Sequence, residues 1–280
     1  MKDLRKLSTH PNYLRRLGGA ILDLASGLDY FTAGQTNSLS FTSTNALKPI
    51  PKVAVYVSYK SLQGDKYENV LFEALHRSGF SIIKVINDLE STEVESPPDQ
   101  ILRKNNGRDL GAIRDIFFYL DTDVIEELFI FNSSLAYLST IEKFLQSIRQ
   151  EKTDQVTVGV QSYQKMMHFQ SFFYYASGKG IKSLKDSFTV VRDVRYKRSL
   201  INFGEILISR RLIKSSVELN VMFPYENVLK RKLPWQHRLG ISQNPSLHCA
   251  EELIALGAPF VKRAHPKIDK ILEKDWGQIA

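Results

Sequence analysis

Cysteine is almost absent from the sequence. The single thiol, Cys249, excludes an intrachain disulfide and a zinc site built from cysteines, and it agrees with a reducing compartment. The six histidines are scattered and show no spacing typical of metal ligands. Disulfide-rich secreted domains and cysteine-based zinc proteins are therefore excluded as classes for this chain.

Long hydrophobic runs are missing as well. No stretch approaches the roughly 20 apolar residues that span a bilayer, and residues 1–16 lack the apolar core of a signal peptide. We therefore expect a cytoplasmic protein. The composition is that of an ordinary globular chain: 280 residues, 43% of them hydrophobic and 24% charged, can form one large core or one domain with a smaller appendage.

Negative charge is in deficit, since 38 Lys and Arg stand against 30 Asp and Glu and give a net charge of +8. This balance favours anionic partners such as phosphates, acidic lipid headgroups or nucleic acid. Two basic runs, residues 192–198 and 230–238, predict either contact with an anionic membrane surface or solvated loops. Nucleic-acid binding is not expected, because the basic residues are dispersed and no recognised binding motif is present.

Strand-like and helix-like segments alternate from residue 51 onwards. Short β-branched runs that suit buried strands alternate with segments whose apolar residues recur every three or four positions. Such alternation indicates βαβ units and a mostly parallel sheet flanked by helices. We therefore predict an α/β fold in which residues 1–50 form a helical appendage, residues 51–265 the main domain and residues 266–280 a tail.

Polar residues follow four of the predicted strands. In open α/β sheets, ligands bind at the carboxyl ends of the strands. The convergence of these groups predicts a ligand site, although solvated loops would also be polar. The four strand ends carry Ser58 and Tyr59, Asn87 and Asp88, the segment from Asn105 to Asp109, and Asn132, Ser133 and Ser134.

The most informative segment runs from Arg103 to Gly111, because glycines, amides and guanidinium groups precede a predicted helix there. Free backbone N–H groups and the helix dipole favour a phosphate, and Gly107 and Gly111 would allow close backbone approach. Arg103 or Arg108 could add bidentate contacts to phosphate oxygens. With the other polar strand ends, the segment predicts a nucleotide-sugar site. The alternative is a solvated helix start that Asp109 merely caps.

Residues 168–175 predict a further strand, in which alternate residues face opposite ways. His168 and Gln170 would share one face, and Ser171 would lie on the other. Polar groups on an otherwise aromatic strand suit a sugar or pyrophosphate pocket. The alternative for His168 is a hydrogen-bonded histidine within a packed core.

Five motifs, in this order, resemble the rhamnan synthesis protein F family of bacterial polysaccharide glycosyltransferases. The resemblance runs from about residue 53 to residue 263. The motifs are R-x-N-x-G-R-D-x-G at 103–111, an Asn-Ser-Ser strand end at 132–134, His-x-Gln-Ser-x-Phe at 168–173, Gly-Glu at 204–205, and a C-terminal group with Asn-Pro-Ser at 244–246, Leu-Ile at 253–254 and Gly-Ala-Pro-Phe-Val-Lys-Arg at 257–263.

This resemblance implies a GT-A-like (Rossmann-like) fold with a donor side at about 51–150 and an acceptor side at about 151–265. It implies a glycosyltransferase that moves a sugar, typically L-rhamnose from dTDP-L-rhamnose, to a growing cell-wall or O-antigen glycan. Such an enzyme would work in the cytoplasm or peripherally on the inner face of the cytoplasmic membrane. We expect the transfer to be inverting.

Two positions depart from the family pattern. Many GT-A enzymes bind Mg²⁺ or Mn²⁺ through an Asp-x-Asp element after the fourth strand, whereas this chain has Asn-Ser-Ser at 132–134, without a carboxylate. Metal dependence is therefore open, and Arg103 or Arg108 could neutralise the leaving diphosphate instead. In the family's Asn-Pro-Thr-His element, Leu247 replaces the histidine, which leaves His248, one place later, as a pocket candidate.

Inverting transfer needs a base that takes the proton of the acceptor hydroxyl, and positive groups on the departing diphosphate. Glu205, after Gly204 at a predicted helix start, is the candidate base, and Asp154, just before a strand, is the reserve. The alternative for Glu205 is a carboxylate that only stabilises a helix N-terminus. The alternative for the whole chain is a catalytically inactive binding or scaffold subunit of a polysaccharide assembly complex, because the Asp-x-Asp carboxylates are missing.

Overall fold

Short apolar runs and amphipathic segments become strands and helices in the computed structural model, which describes residues 11–35, 39–40, 50–59, 66–87, 100–149, 153–163, 166–229 and 244–276. The strands are β1 (Leu39–Ser40), β2 (Lys52–Tyr59), β3 (Ser81–Asn87), β4 (Gln100–Arg103), β5 (Glu127–Asn132), β6 (Leu135–Tyr137), β7 (Gln155–Ser162), β8 (His168–Phe169), β9 (Phe173–Ser177), β10 (Glu218–Phe223) and β11 (Phe260–Lys262). The helices are α1 (Pro11–Thr32), α2 (Lys66–Arg77), α3 (Arg108–Phe117), α4 (Ile141–Arg149), α5 (Lys179–Phe188), α6 (Lys197–Ser199), a π-helix (Leu200–Glu205), α7 (Ile206–Lys214), α8 (Tyr225–Leu229), α9 (Pro245–His248), α10 (Ala250–Ala255) and α11 (Ile268–Trp276).

One mixed sheet organises the main domain. Its strands follow the order β1-β4-β3-β2-β5-β9-β7-β10, and β8 pairs with β7. Strand β2 runs parallel to β3 and β5, β3 to β4, and β7 to β10, whereas β9 runs antiparallel between β5 and β7. This mostly parallel sheet confirms the predicted GT-A-like (Rossmann-like) α/β class, and α1 confirms the helical appendage.

Both faces of the sheet are buried. In β2, Val53, Val55 and Val57 belong to the core on one side, and Ala54 and Tyr56 belong to the core on the other. A strand buried on both faces explains the continuous apolar run in its sequence. Because a slip of one residue would exchange the two faces, this burial fixes the register of the strands and hence the position of their polar ends.

The aromatic segment, predicted as one strand, is two short strands separated by a turn. His168 pairs with Ser162 in β8, and Tyr174 pairs with Val158 in β9. Gln170 still donates its backbone N–H to Val160 at 3.0 Å, but residues 171 and 172 form a turn between the two strands, in the manner of a β-bulge that re-aims side chains. The predicted alternation of side chains along one continuous strand is therefore wrong.

A second, small sheet brings the C-terminal part of the chain to the carboxyl end of β5. Strand β11 pairs antiparallel with β6, and Lys262 lies opposite Leu135. Since β6 follows β5 after only two residues, β11 arrives at the edge of the main sheet where its parallel strands end. This pairing positions a lysine at that edge.

Helix α1 packs on the π-helix and on the segment that connects α5 to it. Tyr30 stacks on Phe203, with ring centroids 4.8 Å apart, and its hydroxyl donates to the carbonyl oxygen of Val190 at 2.9 Å. The appendage is therefore attached to the main domain. Of the described helices, none combines the length and the apolar character that a membrane crossing requires.

Candidate functional site

The predicted polar strand ends lie side by side at one edge of the sheet. The ladders place Tyr59 opposite Asn87, Asn87 opposite Arg103, and Val57 opposite Asn132. Because β2, β3, β4 and β5 are parallel, their last residues face the same side, where ligands bind in open α/β sheets. The convergence predicted from the sequence is confirmed for these residues.

Asp109 connects two of these strand ends. Its carboxylate accepts hydrogen bonds from the Tyr59 hydroxyl and from Asn132 Nδ2, the latter at 2.7 Å. Helix α3 begins after Gly107 without a side-chain cap from the described residues, so the alternative in which Asp109 merely caps its helix is wrong. Burial, and then the charge of Asp109, raises the pKa of Tyr59 well above its usual value, so its hydroxyl stays a donor.

Arg103 lies buried beneath the loop that precedes α3. Its guanidinium donates to Asp115 at 2.9 Å, to Asn87 Oδ1 at 2.8 Å and to the carbonyl oxygen of Asn106, so all three nitrogens are used. Asp115 also accepts from Arg114 Nε at 2.7 Å. We call Arg103, Arg114 and Asp115 the buried ion cluster. The prediction that Arg103 binds a phosphate is wrong, because its guanidinium is used to hold the loop that precedes α3.

The same loop needs glycine at two positions. Gly107 has a φ of 68°, and a Cβ there would lie 2.9 Å from the carbonyl oxygen of Arg192. A Cβ at Gly111 would overlap the carbonyl oxygen of Asn106. We predicted that Gly111 allows a ligand to approach the backbone closely. In the structure, Gly111 instead allows the loop before α3 to pack closely on α3.

A cleft of about 350 Å³ opens at this loop. Arg108 has a φ of 52°, and its Nη2 donates to the carbonyl oxygen of Arg195 at 3.3 Å. Its buried Nε has no hydrogen-bond partner among the described residues, and such a donor costs free energy until an acceptor meets it. Arg108, unlike Arg103, thus keeps a donor that no described residue uses. The lining includes Gly34, Asn105, Gly107, Arg108, Asp193 and Arg195.

A lysine joins the end of β5 to the rest of the site. Asn132 Oδ1 accepts from the backbone N–H of Ser134 at 3.1 Å and from its hydroxyl, and that hydroxyl accepts from Lys262 Nζ at 2.8 Å. Burial lowers the pKa of Lys262 to about 8, while the carboxylates of Asp109 and Glu205 act in the opposite direction. The ammonium therefore lies within electrostatic reach of both carboxylates.

Lys262 is a site residue that the motifs alone do not single out. It belongs to the C-terminal Gly-Ala-Pro-Phe-Val-Lys-Arg group, which was the available signal, but that group does not reveal which strand it pairs with. Its Nζ lies 4.6 Å from the ring centroid of Phe172, a favourable place for a cation. Ser133 lies between Asn132 and Ser134 in the sequence. Its backbone N–H donates to the carbonyl oxygen of Val57 at 2.8 Å.

Glu205 and His168 form a second polar pair at this edge. Glu205, which is 8% exposed, accepts the backbone N–H of Ser171 at 3.1 Å, and its Oε2 lies 3.5 Å from His168 Nε2. His168 Nδ1 lies 2.8 Å from the carbonyl oxygen of Met166, which can only accept, so we assign the hydrogen to Nδ1. Nε2 is therefore the ring nitrogen that faces the carboxylate of Glu205.

The π-helix determines where Glu205 points. It continues directly into α7, so Glu205 does not lie at a free helix start, and the predicted helix start and its dipole-stabilised alternative are both wrong. Ser209 donates to the carbonyl oxygen of Glu205 at 2.6 Å and accepts the backbone N–H of Phe169 at 2.8 Å. Short π-helical turns are frequent at functional sites, where they re-aim a side chain.

Gln170 extends this region towards the C-terminal segment. Its Nε2 donates to Asn244 Oδ1 at 2.7 Å, and the same oxygen accepts from the Ser246 hydroxyl at 2.9 Å. Gln170 Oε1 is buried and has no hydrogen-bond partner among the residues that the structure describes. The turn at 170–172 therefore presents an unused acceptor.

Asp154 lies at the opposite edge of the sheet. It precedes β7, whose amino end is remote from the carboxyl ends of the parallel strands, and its φ is 65°. Its carboxylate accepts the backbone N–H of Lys179 at 2.8 Å, which lowers the pKa of Asp154. The prediction of Asp154 as a reserve base is corrected, because this carboxylate caps α5.

Two further candidates, Ser58 and His248, lie outside the cluster described so far. The Ser58 hydroxyl is buried and donates to Glu68 at 3.4 Å, and Glu68 also pairs with Lys84 at 2.6 Å, so Ser58 belongs to an internal polar group. His248 is exposed at the C-terminal end of α9, which does not fit its predicted place in a pocket. Asp88 falls outside the described residues.

The basic run 192–198 packs against α1. The guanidinium carbon of Arg192 lies 5.1 Å from the ring centroid of Tyr30, and Arg198 Nε lies 2.8 Å from Asp23. These two arginines attach α1 to the main domain. For them, both predicted alternatives, a free membrane-binding run and a solvated loop, are wrong. The second basic run lies outside the described part of the chain.

The residues at the end of β5 do not fit a divalent cation. Mg²⁺ and Mn²⁺ need several hard oxygen ligands, usually carboxylates. Here Ser134 uses the amide oxygen of Asn132, and the ammonium of Lys262 uses the Ser134 hydroxyl. Within the described ranges, no three His, Cys, Asp or Glu side chains are grouped as metal ligands would be.

No family model and no curated protein sequence matches the chain, so the resemblance to the rhamnan synthesis protein F family stays a prediction. Among solved structures, the chain is similar to a glycosyltransferase involved in the glycosylation of the major capsid of PBCV-1, at 9% identity over 79% of this chain and 98% of that chain, with a TM-score of 0.44. It is also similar to 4-diphosphocytidyl-2C-methyl-D-erythritol synthase from Anaerococcus prevotii, at 11% identity over 64% and 89%, with a TM-score of 0.38. A mutant Drosophila β-1,4-galactosyltransferase 7 in complex with manganese, UDP-Gal and xylobiose matches at 10% identity over 61% and 65%, with a TM-score of 0.36.

Proposed function

We propose that this protein is a nucleotide-sugar-dependent glycosyltransferase. The observation that carries the proposal is the position of Lys262, whose ammonium is bonded to Ser134 and acted on by the carboxylates of Asp109 and Glu205. The charge of one cation thus interacts with Asp109, which follows Arg108 of the cleft, and with Glu205, a carboxylate suited to take a proton. Sugar transfer from a nucleoside diphosphate needs positive charge and a proton acceptor at neighbouring positions.

In this proposal the nucleoside diphosphate binds in the cleft at the N-terminus of α3. The backbone N–H groups of that terminus and the unpaired Nε of Arg108 supply donors for phosphate oxygens. Asp109, held by Tyr59 and Asn132, is an acceptor for a ribose or sugar hydroxyl. Residues 51–150 would then form the donor side and residues 151–265 the acceptor side.

We further propose that ammonium and guanidinium groups, not a divalent cation, neutralise the departing diphosphate. Lys197 lies close enough to Lys262 to lower its pKa, although burial is the larger cause. An anion bound between these lysines and Arg108 would relieve their repulsion and gain charge-assisted hydrogen bonds. Donor binding would then require neither Mg²⁺ nor Mn²⁺.

The chemistry assigned to the site is a single displacement. The oxygen of the acceptor hydroxyl attacks the anomeric carbon, the bond from that carbon to the diphosphate oxygen breaks, and the diphosphate leaves with the electron pair. Glu205, paired with His168, takes the proton of the hydroxyl. Attack opposite the leaving group inverts the anomeric centre. The unused acceptor of Gln170 suits a hydroxyl of one of the two sugars.

The finer assignment is supported by the sequence resemblance. It favours L-rhamnose from dTDP-L-rhamnose as the donor sugar. It favours a growing bacterial cell-wall or O-antigen glycan, carried on a lipid, as the acceptor. The protein would then work at the cytoplasmic face of the membrane.

Thermal stabilisation of the full chain tests donor binding, because a ligand of the folded state raises Tm. We expect dTDP and dTDP-rhamnose to raise Tm equally with EDTA and with Mn²⁺. A rise selective for UDP or GDP ligands would keep the transferase and change the sugar. A rise that requires Mn²⁺ would contradict neutralisation by Lys262.

Two matched variants test the cleft. Arg108→Met should abolish the donor-dependent rise in Tm, whereas Lys104→Met, an exposed cation of the same loop, should retain it. Release of free dTDP from the sugar donor, with or without an acceptor, then tests turnover. Donor binding without any release, or no binding of any nucleotide, would favour the inactive scaffold subunit, which the missing carboxylates suggest.

A further inference from the structure

Helix α1 faces the protein with its polar side. Asp23 pairs with Arg198 at 2.8 Å, and the Ser26 hydroxyl accepts a hydrogen bond from Asn202 at 3.2 Å. Asp29, the other acidic residue of the helix, accepts backbone N–H groups of the main domain, one of them at 3.1 Å. These contacts settle the orientation of the helix, and its opposite side faces solvent.

Large apolar side chains line that outer side at spacings of three and four residues, and we call them the α1 stripe. The same spacing continues in the sequence to Leu17 and Leu14. A protein that stays monomeric in water rarely leaves so long an apolar stripe uncovered. The stripe consists of Ile21, Leu24, Leu28 and Phe31, which are 59%, 68%, 59% and 70% exposed.

Basic residues precede the stripe in the sequence, and two exposed basic residues lie near its C-terminal end in the structure. The first 16 residues of the sequence contain five Lys or Arg and one acidic residue, Asp3. Near the other end of α1, Arg195 and Lys197 are exposed, and Tyr196 between them is 60% exposed. Cations beside an amphipathic aromatic ring are typical of side chains at the surface of an anionic membrane.

We propose that α1 is an in-plane membrane anchor, which lies on an anionic lipid surface with the α1 stripe inserted among the headgroups. The helix has 22 residues and is about 33 Å long, so it can lie along the surface over its whole length. Both acidic residues of α1 are used against the main domain, so they do not oppose contact with anionic lipid. A second copy of this chain fits less well, because the basic flanks of two copies would repel each other.

The anchor and the cleft are neighbours. Helix α1 ends at Thr32, and Gly34 already lines the cleft together with Arg195. A membrane that holds α1 would therefore lie next to the site. The membrane would then bring a lipid-linked acceptor to the transferring groups. This second step rests on the proposed function, whereas lipid binding by α1 does not.

Co-sedimentation of the full chain with vesicles tests the anchor. Vesicles of phosphatidylcholine and phosphatidylglycerol in equal parts are compared with vesicles of phosphatidylcholine alone. We expect binding to the anionic vesicles and a loss of at least about tenfold in the double variant Leu24→Glu, Leu28→Glu. The matched control is Leu22→Glu, because Leu22 is 54% exposed on the same helix but lies off the stripe, and it should bind within about twofold of wild type.

Unchanged binding of the double variant, or no binding of the wild type to either vesicle, would overturn the proposal. A wild-type dimer in light scattering that the double variant abolishes, without vesicle binding, would identify a second copy as the occupant and also overturn it. Because these leucines are exposed, Tm should be unchanged in both variants. Donor-dependent stabilisation, measured without vesicles on the same proteins, separates failure of the transferase proposal from failure of the anchor.

Discussion

Asp115 and Glu205, the carboxylates at the centres of the two polar regions of the site, are held very differently. Asp115 is fully buried, and two arginines bind it at 2.7 Å and 2.9 Å. Glu205 accepts one backbone N–H at 3.1 Å and meets His168 at 3.5 Å, and an unused buried acceptor lies on the turn nearby. The buried ion cluster fixes the loop before α3 through contacts inside the protein, whereas the Glu205 region keeps hydrogen-bonding capacity that, in the proposed function, a substrate would use.

Breaking the buried ion cluster should have the largest effect. Arg103→Met removes one of the two guanidinium groups that bind the buried carboxylate of Asp115, and we expect a loss of about 3–5 kcal/mol in the free energy of unfolding, measured by urea denaturation. The control is Arg77→Met, because Arg77 makes an exposed ion pair with Glu142, worth about 0–1 kcal/mol. Similar losses in the two variants would show that the cluster has no special structural role.

The Glu205 region should respond in the opposite manner, with lost turnover and retained stability. Glu205→Gln keeps the shape but removes the base, so we expect kcat to fall about 100- to 10,000-fold while Tm and donor affinity stay close to wild type. Transfer is followed by the release of free nucleotide. The control is Glu226→Gln, because Glu226 is a carboxylate outside the site. Near wild-type turnover of Glu205→Gln would eliminate Glu205 as the base.

A smaller change in the loop sharpens the comparison, because it should affect stability and donor binding together. Gly111→Ala forces a Cβ against the carbonyl oxygen of Asn106, at a cost of about 1–3 kcal/mol, and displaces the cleft. Titration calorimetry with dTDP should show weaker binding. The control is Gly27→Ala, whose Cβ would lie 3.8 Å from Phe203 in ordinary contact and should change stability by less than about 1 kcal/mol. Unchanged dTDP affinity in Gly111→Ala would separate the loop from the donor site.

The smallest effect should come from pH, through the lysine that joins the two regions. Because burial lowers the pKa of Lys262 to about 8, its positive charge is present below pH 8 and lost above it. The dissociation constant of dTDP should therefore rise between pH 8 and 9, by at most about tenfold. Lys262→Arg keeps its charge and should remove this dependence, whereas an identical profile in that variant would exclude Lys262 as its source.

The same group has a defined effect on folding. In the unfolded chain Lys262 keeps its proton up to about its ordinary pKa of 10.5, whereas the folded protein releases it near pH 8. Between these values the unfolded state binds more protons, so the contribution of Lys262 to stability rises with pH across that window. Donor affinity and this contribution thus change in opposite directions above pH 8.

The sheet and its polar edge were predictable because their signals are local. The apolar run of β2 indicates a strand buried on both faces, and parallel strands bring Tyr59, Asn87 and Asn132 to one edge whatever the loops do. Asp109 was predicted as a site residue on the same grounds. Its two hydrogen-bond partners come from two of those strand ends, so the contact depends on the sheet that the pattern predicts.

The remaining features depend on contacts between distant segments. The sequence around Arg103 is that of a phosphate-binding arginine, and only the burial of Asp115, about two turns into α3, shows that its guanidinium is used internally. The turn at 170–172 and the π-helix are breaks in regular hydrogen bonding, which side-chain periodicity does not register. Lys262 needs the pairing of β11 with β6, which involves segments about half the chain apart.

That pairing also sets an order of events during synthesis. Lys262 leaves the ribosome well after Asn132 and Ser134, because it lies far downstream of them in the sequence. Because domains can begin to fold from the N-terminus while they are made, the strands β2 to β5 can assemble before β11 exists. A nascent chain in which β11 has not yet been made therefore lacks the ammonium group that Lys262 adds at this edge of the sheet.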